Sequence, residues 1–163
     1  MTWTMLWDSL PYLLWGAYPD GPIGGAALTV LLSLGSGILS ALLGLGLGIA
    51  LAMLQGPARV VLTSALAFLR AIPVLMLIFW SYFLLPIALG INVPGVLSVM
   101  AALSLIGGAY LAHAVFAGIT GIAAGQWAAG LSLGLTRWGT LRHIVLPQSL
   151  RMMLPSFVNQ WVT

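Results

Sequence analysis

Residues 23–54 read IGGAALTVLLSLGSGILSALLGLGLGIALAML, and no position in this run carries a charge. Its only hydroxyl side chains are Thr29, Ser33, Ser36 and Ser40. A helix needs about 20 predominantly apolar residues to cross the hydrocarbon of a bilayer. The run is therefore long enough to tilt or to project beyond the lipid. Small residues return at every fourth position, at Ser36, Ser40, Gly44, Gly48 and Ala52, and Gly44 with Gly48 makes a GxxxG pair. On a helix that spacing forms one narrow stripe along which another helix can approach closely. Two partners fit the stripe: a helix of this chain, or a helix of a second subunit.

The rest of the composition agrees with a membrane setting. The 163 residues include five Arg and two Asp, with no Lys and no Glu; 61% are hydrophobic and 4% charged. Soluble domains carry about 25% charged residues, so this chain lacks the polar surface to stay in water, and disorder is excluded as well. No Lys/Arg-rich run exists, which argues against nucleic acid as a partner. The absence of Cys excludes disulfides and thiol chemistry. His113 and His143 have no carboxylate near them in sequence, so no metal site and no cofactor are expected. A phosphate-cradling P-loop needs a Lys before its Ser or Thr, and this chain has none. If ATP drives the process it serves, another chain binds that ATP, and this one is not an enzyme.

Outward from the first run, residues 1–22 hold both acids, Asp8 and Asp20, and the aromatics Trp3, Trp7, Tyr12, Trp15 and Tyr18. Amphipathic rings gather at the membrane boundary, and with no basic n-region this segment is not a signal peptide. Gln55 to Arg59 is a loop. A second run, Val60 to Leu85, is interrupted by Arg70 and Pro73, where a kink or break is expected. Pro86 to Pro94, with Gly90 and Asn92, is read as a loop. The third run extends from Gly95 to about Ile122, and Met152 to Thr163 opens a fourth apolar segment too short to span.

The fold class is thus all-α: a single-domain polytopic membrane helix bundle. It has three complete spans near 23–54, 60–85 and 95–122, a loop segment 123–151, and the start of a fourth span. Arg59 follows the first span, and Arg137, Arg142 and Arg151 follow the third. Basic residues favour the cytoplasmic side, which puts 123–151 inside and the N-terminus outside.

The stretch most informative about function is Ala128-Ala129-Gly130-Leu131-Ser132-Leu133-Gly134, nine residues, then Ile144-Val145-Leu146-Pro147. It reads as two short helices joined by a turn. The small residues at 128–130 permit close approach, and Gly134 suits the left-handed turn that ends a helix. Thr136 is a plausible N-cap for a helix from about Arg137 to Val145, which Pro147 should stop by Leu146.

This spacing resembles the loop motif of ABC-importer permeases, Glu-Ala-Ala, three residues, Gly, nine residues, Ile-x-Leu-Pro. Further pieces look like the branch that takes up polar amino acids: Arg70-Ala71-Ile72-Pro73-Val74-Leu75, Gly108-Ala109-Tyr110-Leu111-Ala112, Gly125-Gln126, Leu146 to Arg151 and Leu154 to Gln160. The resemblance covers most of the chain. It implies a subunit of the bacterial inner membrane, working as a homodimer or with a second permease. Cytoplasmic ATP-binding subunits would dock on the loop, and an external substrate-binding protein would deliver the amino-acid substrate.

Three departures stand out. Ala128 occupies the place of the loop Glu, with Gly130 for the second Ala. His113 and Phe116 stand where Glu and Arg are usual, and Ala123 and Ala124 where Pro and Lys are usual. Because the family continues past Asn159-Gln160 with further spans, the chain is also expected to be a C-terminal truncation or fragment.

The residues expected to couple to the ATPases are Ala128, Ala129, Gly130, Gly134, Arg137, Arg142 and Pro147. Arg70, Pro73, Tyr110 and His113 are expected along the translocation path, although each has a plainer reading. Arg70 can snorkel to the boundary, Pro73 can be only a structural break, and Tyr110 with His113, three apart on one helix face, can be a packed or hydrogen-bonded pair. A charge at mid-span costs about 2.5–3.5 kcal/mol on insertion scales, which favours a functional Arg70. The rival classes are an ion-coupled secondary transporter or channel, which lacks an intramembrane carboxylate here, a membrane-embedded enzyme, for which no catalytic set is present, and a structural pseudosubunit.

Overall fold

The computed structural model describes residues 3–90 and 93–162; Asn92 and Thr163 lie outside them, as do the side chains of Trp3 and Asp8. Among the described residues the chain is helical apart from turns and one isolated bridge pair, Gly16 with Ile23. The helices are α1 (Trp3–Trp15), α2 (Gly25–Met53), α3 (Gly56–Ala71), α4 (Val74–Phe79), α5 (Leu85–Leu89), α6 (Gly95–Thr120), α7 (Ala124–Ser132), α8 (Arg137–Thr140) and α9 (Leu146–Val162). Both α2 and α6 are long and apolar enough to cross a membrane. The second apolar run meets the same test only as a pair, Gly56–Ala71 with Val74–Ala88, bent by 95°.

The principal packing is α2 along α6, and it answers which partner the small-residue stripe takes. A Cβ added to Gly44 would run into the Leu111 side chain. One added to Gly48 would overlap Val115 and sit 2.7 Å from the Ala112 carbonyl oxygen. From the other side, a Cβ on Gly108 would lie 2.9 Å from Leu43 Cβ, and one on Gly107 would strike Ser40. The stripe is therefore filled by a helix of this chain. With Gly at four contact points the two backbones come close enough for Ser40 Oγ to donate to the carbonyls of Leu103 and Ser104, each at 3.4 Å. At the lower end of the stripe Leu51 is the buried residue and Ala52 is half-buried.

Two apolar clusters continue from this pair. Leu51, Leu66, Ala109 and Ala112 fasten α3 to it. Val115, Ile119, Leu141, Val145 and Met153 fasten the end of α6 to the chain after α8. Burying a side chain of this size from water is worth about 1.5–3 kcal/mol. That gain applies to the second cluster, which joins the bundle to the segment expected in the cytoplasm.

The break in the second run falls at Ile72, which is extended (φ −78°, ψ 125°), and Pro73. At three other prolines the sequence reading needs correction. Gln55 to Arg59 is not a loop throughout, because α3 begins at Gly56 with Pro57 in its first turn, where a missing N–H costs nothing. Pro86 does not open a loop, since α5 runs through it. Nor does Pro147 end the helix that begins at Arg137, because α9 continues to Val162 with Pro147 in its first turn. The same device precedes Pro86 and Pro147: a π-helical turn, Trp80–Leu84 before Leu85-Pro86 and Leu141–Val145 before Leu146-Pro147. In the second, Leu146 N–H bonds five residues back, to Leu141 O. A proline in an ordinary helix meets the carbonyl four residues before it. A widened turn shifts those carbonyls aside and lets the helix continue.

Candidate functional site

The loop segment forms an elbow whose geometry follows from a few residues. α7 ends where Gly134 adopts φ +80°. Leu135 N–H reaches back to Gly130 O at 3.2 Å and Gly134 N–H to Leu131 O at 3.0 Å. This crossed pair is the bonding of a Schellman turn and satisfies carbonyls the helix end would otherwise leave open. Thr136 then caps the next helix, its Oγ1 accepting from Gly139 N–H at 3.0 Å. The cap comes where the spacing predicts it, and it starts a shorter α-helix than expected, which passes into the π turn after Thr140.

The two arms of the elbow are locked by close contact. Gly130 is buried against α8, and a Cβ there would sit 2.5 Å from Thr140 Cγ2 and 2.7 Å from its Oγ1. Thr140 is fully buried, and its Oγ1 has no hydrogen-bond partner. Gln148 Nε2 donates to Ile144 O at 2.8 Å and to Gln126 Oε1 at 3.3 Å, tying α9 to α7. The Arg137 guanidinium lies 6.0 Å from the Trp127 ring centroid, and both residues line a cavity of about 460 Å³ with Ala52, Ile119 and Leu131. Ala128, Ala129, Arg142 and Pro147 are exposed. The structure thus assembles the predicted coupling residues into one element, with Gly130 and Gly134 holding its shape and Arg142 turned to the outside.

The four path candidates are not brought to one place. Arg70, in the last turn of α3, lies over the Tyr110 ring at 4.5 Å, and Arg59 over Phe116 at 4.6 Å. Tyr110 therefore pairs across to α3 and not with His113, whose Nδ1 turns back to Ala109 O at 3.2 Å. Removing the ring by Tyr110→Leu is expected to weaken the α3–α6 contact by about 0.5–1 kcal/mol, read as a small fall in the unfolding midpoint in detergent. Pro73 precedes Val74, which lines a cavity of about 360 Å³ with Ser33, Ser36 and Ser40 of α2, Gly107 of α6 and Gln160 of α9.

That cavity was not anticipated. Its signal in the sequence is the helical spacing of Ser33, Ser36 and Ser40, of which the small-residue stripe includes only the last two. Ser36 Oγ donates to Leu32 O at 2.6 Å and Ser40 Oγ to α6, so what these hydroxyls still offer is lone pairs. Thr140 was likewise missed, because nothing in a single threonine marks it as the wall that Gly130 must clear.

The chain is thus an all-helical bundle with a hydroxyl-lined gap beside its long apolar helices and an elbow after α6. The chain belongs to the family of binding-protein-dependent transport system inner membrane components, whose model matches residues 43–163. It is 35% identical, over 93% of its length, to a protein named probable amino-acid ABC transporter permease protein YckA from Bacillus subtilis (strain 168), and spans 63% of that relative. Against the glutamine transport system permease protein GlnP of Escherichia coli (strain K12) it is 31% identical over 98% of its length, covering 69% of that protein. Its fold matches a chain in the crystal structure of an amino acid ABC transporter with histidines, with a TM-score of 0.78 at 24% identity, over 99% of this chain and 71% of the other.

Proposed function

We propose that this chain is the membrane-spanning permease part of an ATP-driven importer of polar amino acids. In this reading the N-terminus faces outward, where a binding protein delivers the substrate. Residues 124–147 face the cytoplasm, where ATP-hydrolysing subunits grip the elbow. A second permease, identical or similar, completes the path. Closure of the ATPases moves the elbow, and the cluster of Val115, Ile119, Leu141, Val145 and Met153 carries that movement into α6 and α9. Reversing a 1:99 population of outward and inward states takes about 5.5 kcal/mol of differential binding, so the elbow must be stiff enough to pass that bias on. The single observation that carries the reading is how the elbow is built: a Schellman turn, a threonine cap and the Gly130–Thr140 contact within one short segment.

Gly134→Val tests it. A β-branched residue is a genuine outlier at positive φ, while the position itself has open space around it, so the substitution reshapes the turn without a clash. In proteoliposomes holding the permease with its ATPases and binding protein, ATP-dependent amino-acid uptake is expected to fall at least tenfold. Membrane insertion and ATP hydrolysis should persist. Normal uptake by the variant would refute the elbow assignment, and uptake driven by an ion gradient alone would point to a secondary transporter.

A further inference from the structure

From the cavity that Arg137 and Trp127 line, we infer that the chain holds an anionic phospholipid of the inner leaflet, with the lipid phosphate on Arg137. The inference rests only on the inward placement of residues 124–147 in the reading above. The cavity, of about 460 Å³, lies where α2 and α6 both end and α7 begins, with Ala52, Thr120 and Ala124 in its wall. Sites for small ligands have volumes of about 300–1,000 Å³. Ala52, Ile119, Ile122 and Leu131 give it an apolar lining, and Arg137 is the charged residue among those that line it.

Arg137 has no carboxylate to meet. None follows Asp20 in the sequence, and Asp20 precedes the far end of α2, a helix of 29 residues that is about 43 Å long. The guanidinium stands 6.0 Å from the Trp127 ring centroid, the outer limit of a cation–π contact, so its N–H donors stay available. The Thr120 hydroxyl proton is already given to Phe116 O at 2.8 Å, which makes Arg137 the principal donor. α7 opens at the same wall with no side-chain cap at Ala123, and its uncapped first N–H groups add to the pull on an anion. A guanidinium meets a phosphate with two parallel N–H bonds.

The apolar lining decides where that phosphate comes from. A free phosphate would cover none of Ile119, Ile122 and Leu131, whereas a phospholipid lays its glycerol and first acyl carbons on them. Acyl chains can also follow α2 to the cavity. Only 17% of the apolar window of α2 is buried within the chain, against 44% of that of α6, and Leu42 and Leu43 are exposed. Basic pockets between spans on the cytoplasmic side take acidic headgroups in this way.

The test measures lipid retained by the permease–ATPase complex in detergent, by native mass spectrometry, with phosphatidylglycerol, phosphatidylethanolamine or inorganic phosphate added. Phosphatidylglycerol should be retained at about tenfold lower concentration than phosphatidylethanolamine, and inorganic phosphate should not displace it. Arg137→Gln should weaken retention about tenfold, and Arg137→Lys should weaken it less. Arg151→Gln, at an exposed position outside the cavity, should leave retention unchanged. Phosphatidylglycerol with brominated acyl chains should quench tryptophan emission more in wild type than in Trp127→Phe. Equal retention by wild type and Arg137→Gln, equal quenching with and without Trp127, or displacement by inorganic phosphate would each overturn the site. So would lipid that binds only after the ATPases are removed, because the cavity would then be part of their contact. Retention in detergent does not depend on coupling. Retained phosphatidylglycerol beside normal uptake by Gly134→Val removes the coupling reading and keeps the lipid site; the opposite pair of results removes the lipid site alone.

Discussion

Replacing Gly48 by Leu is expected to separate α2 from α6, while Gly46→Ala, two residues away, should leave the pair intact or slightly tighter. A side chain at 48 would enter the space of Val115 and press on the Ala112 carbonyl oxygen, 2.7 Å from where its Cβ must go. That oxygen belongs to the backbone of a 26-residue helix and has no rotamer to escape into. Overpacking a close contact costs about 1–3 kcal/mol, occasionally more, and the backbone obstacle puts this case at the upper end. Loss of the close approach also lengthens the Ser40 bonds to Leu103 and Ser104, already 3.4 Å. At Gly46 nothing lies within 4 Å of an added Cβ, so alanine there gains only its helix preference, up to about 1 kcal/mol. Unfolding in graded sodium dodecyl sulfate, followed by tryptophan emission, distinguishes the two. Equal midpoints for both variants would refute the packing.

The second large effect is expected at Gly130→Val. Its Cβ would sit 2.5 Å from Thr140 Cγ2 and 3.0 Å from Ile144 Cδ1, and Thr140 is fully buried on a helix, where a β-branched side chain has little freedom at χ1. The two arms of the elbow must move apart, so uptake should fall by an order of magnitude or more while the spans remain folded. Thr140→Ala should restore part of the activity, because it removes the obstructing methyl group. It also deletes a hydroxyl that is buried without a partner, a group whose desolvation costs about 1–3 kcal/mol. Failure of Thr140→Ala to rescue would show that the Gly130 contact lies elsewhere than at Thr140. The pairing gives a physical account of Gly130 standing where the loop pattern has Ala: a threonine at 140 occupies the room an alanine methyl would need.

The clearest sequence signals belonged to backbone rules that act locally or along one helix. The four-residue spacing of Ser36 to Gly48 identifies a contact stripe without reference to its partner, and Pro73 after Arg70 marks a break. Gly134 and Thr136 announce a turn and a cap because left-handed backbone and exposed N–H groups have few residue solutions. The π turns were not legible, since no composition distinguishes them from ordinary helix, and each one cancels the stop that Pro86 or Pro147 would otherwise impose. The Arg70–Tyr110 and Arg59–Phe116 contacts were equally hidden. They depend on how α3 is set against α6, a register the sequence leaves open once the break at Ile72 and Pro73 is allowed any angle.

The intimacy of α2 and α6 limits how such a molecule can change shape. Two helices with glycine at the seam and the Ser40 hydroxyl bonded across it behave as a single plank, with no soft layer of side chains on which to slide. Any alternation between faces of the bilayer must then bend the thinner joints instead, at Ile72–Pro73 and at the two widened turns. Substitutions that stiffen those joints should slow the cycle without loosening the fold.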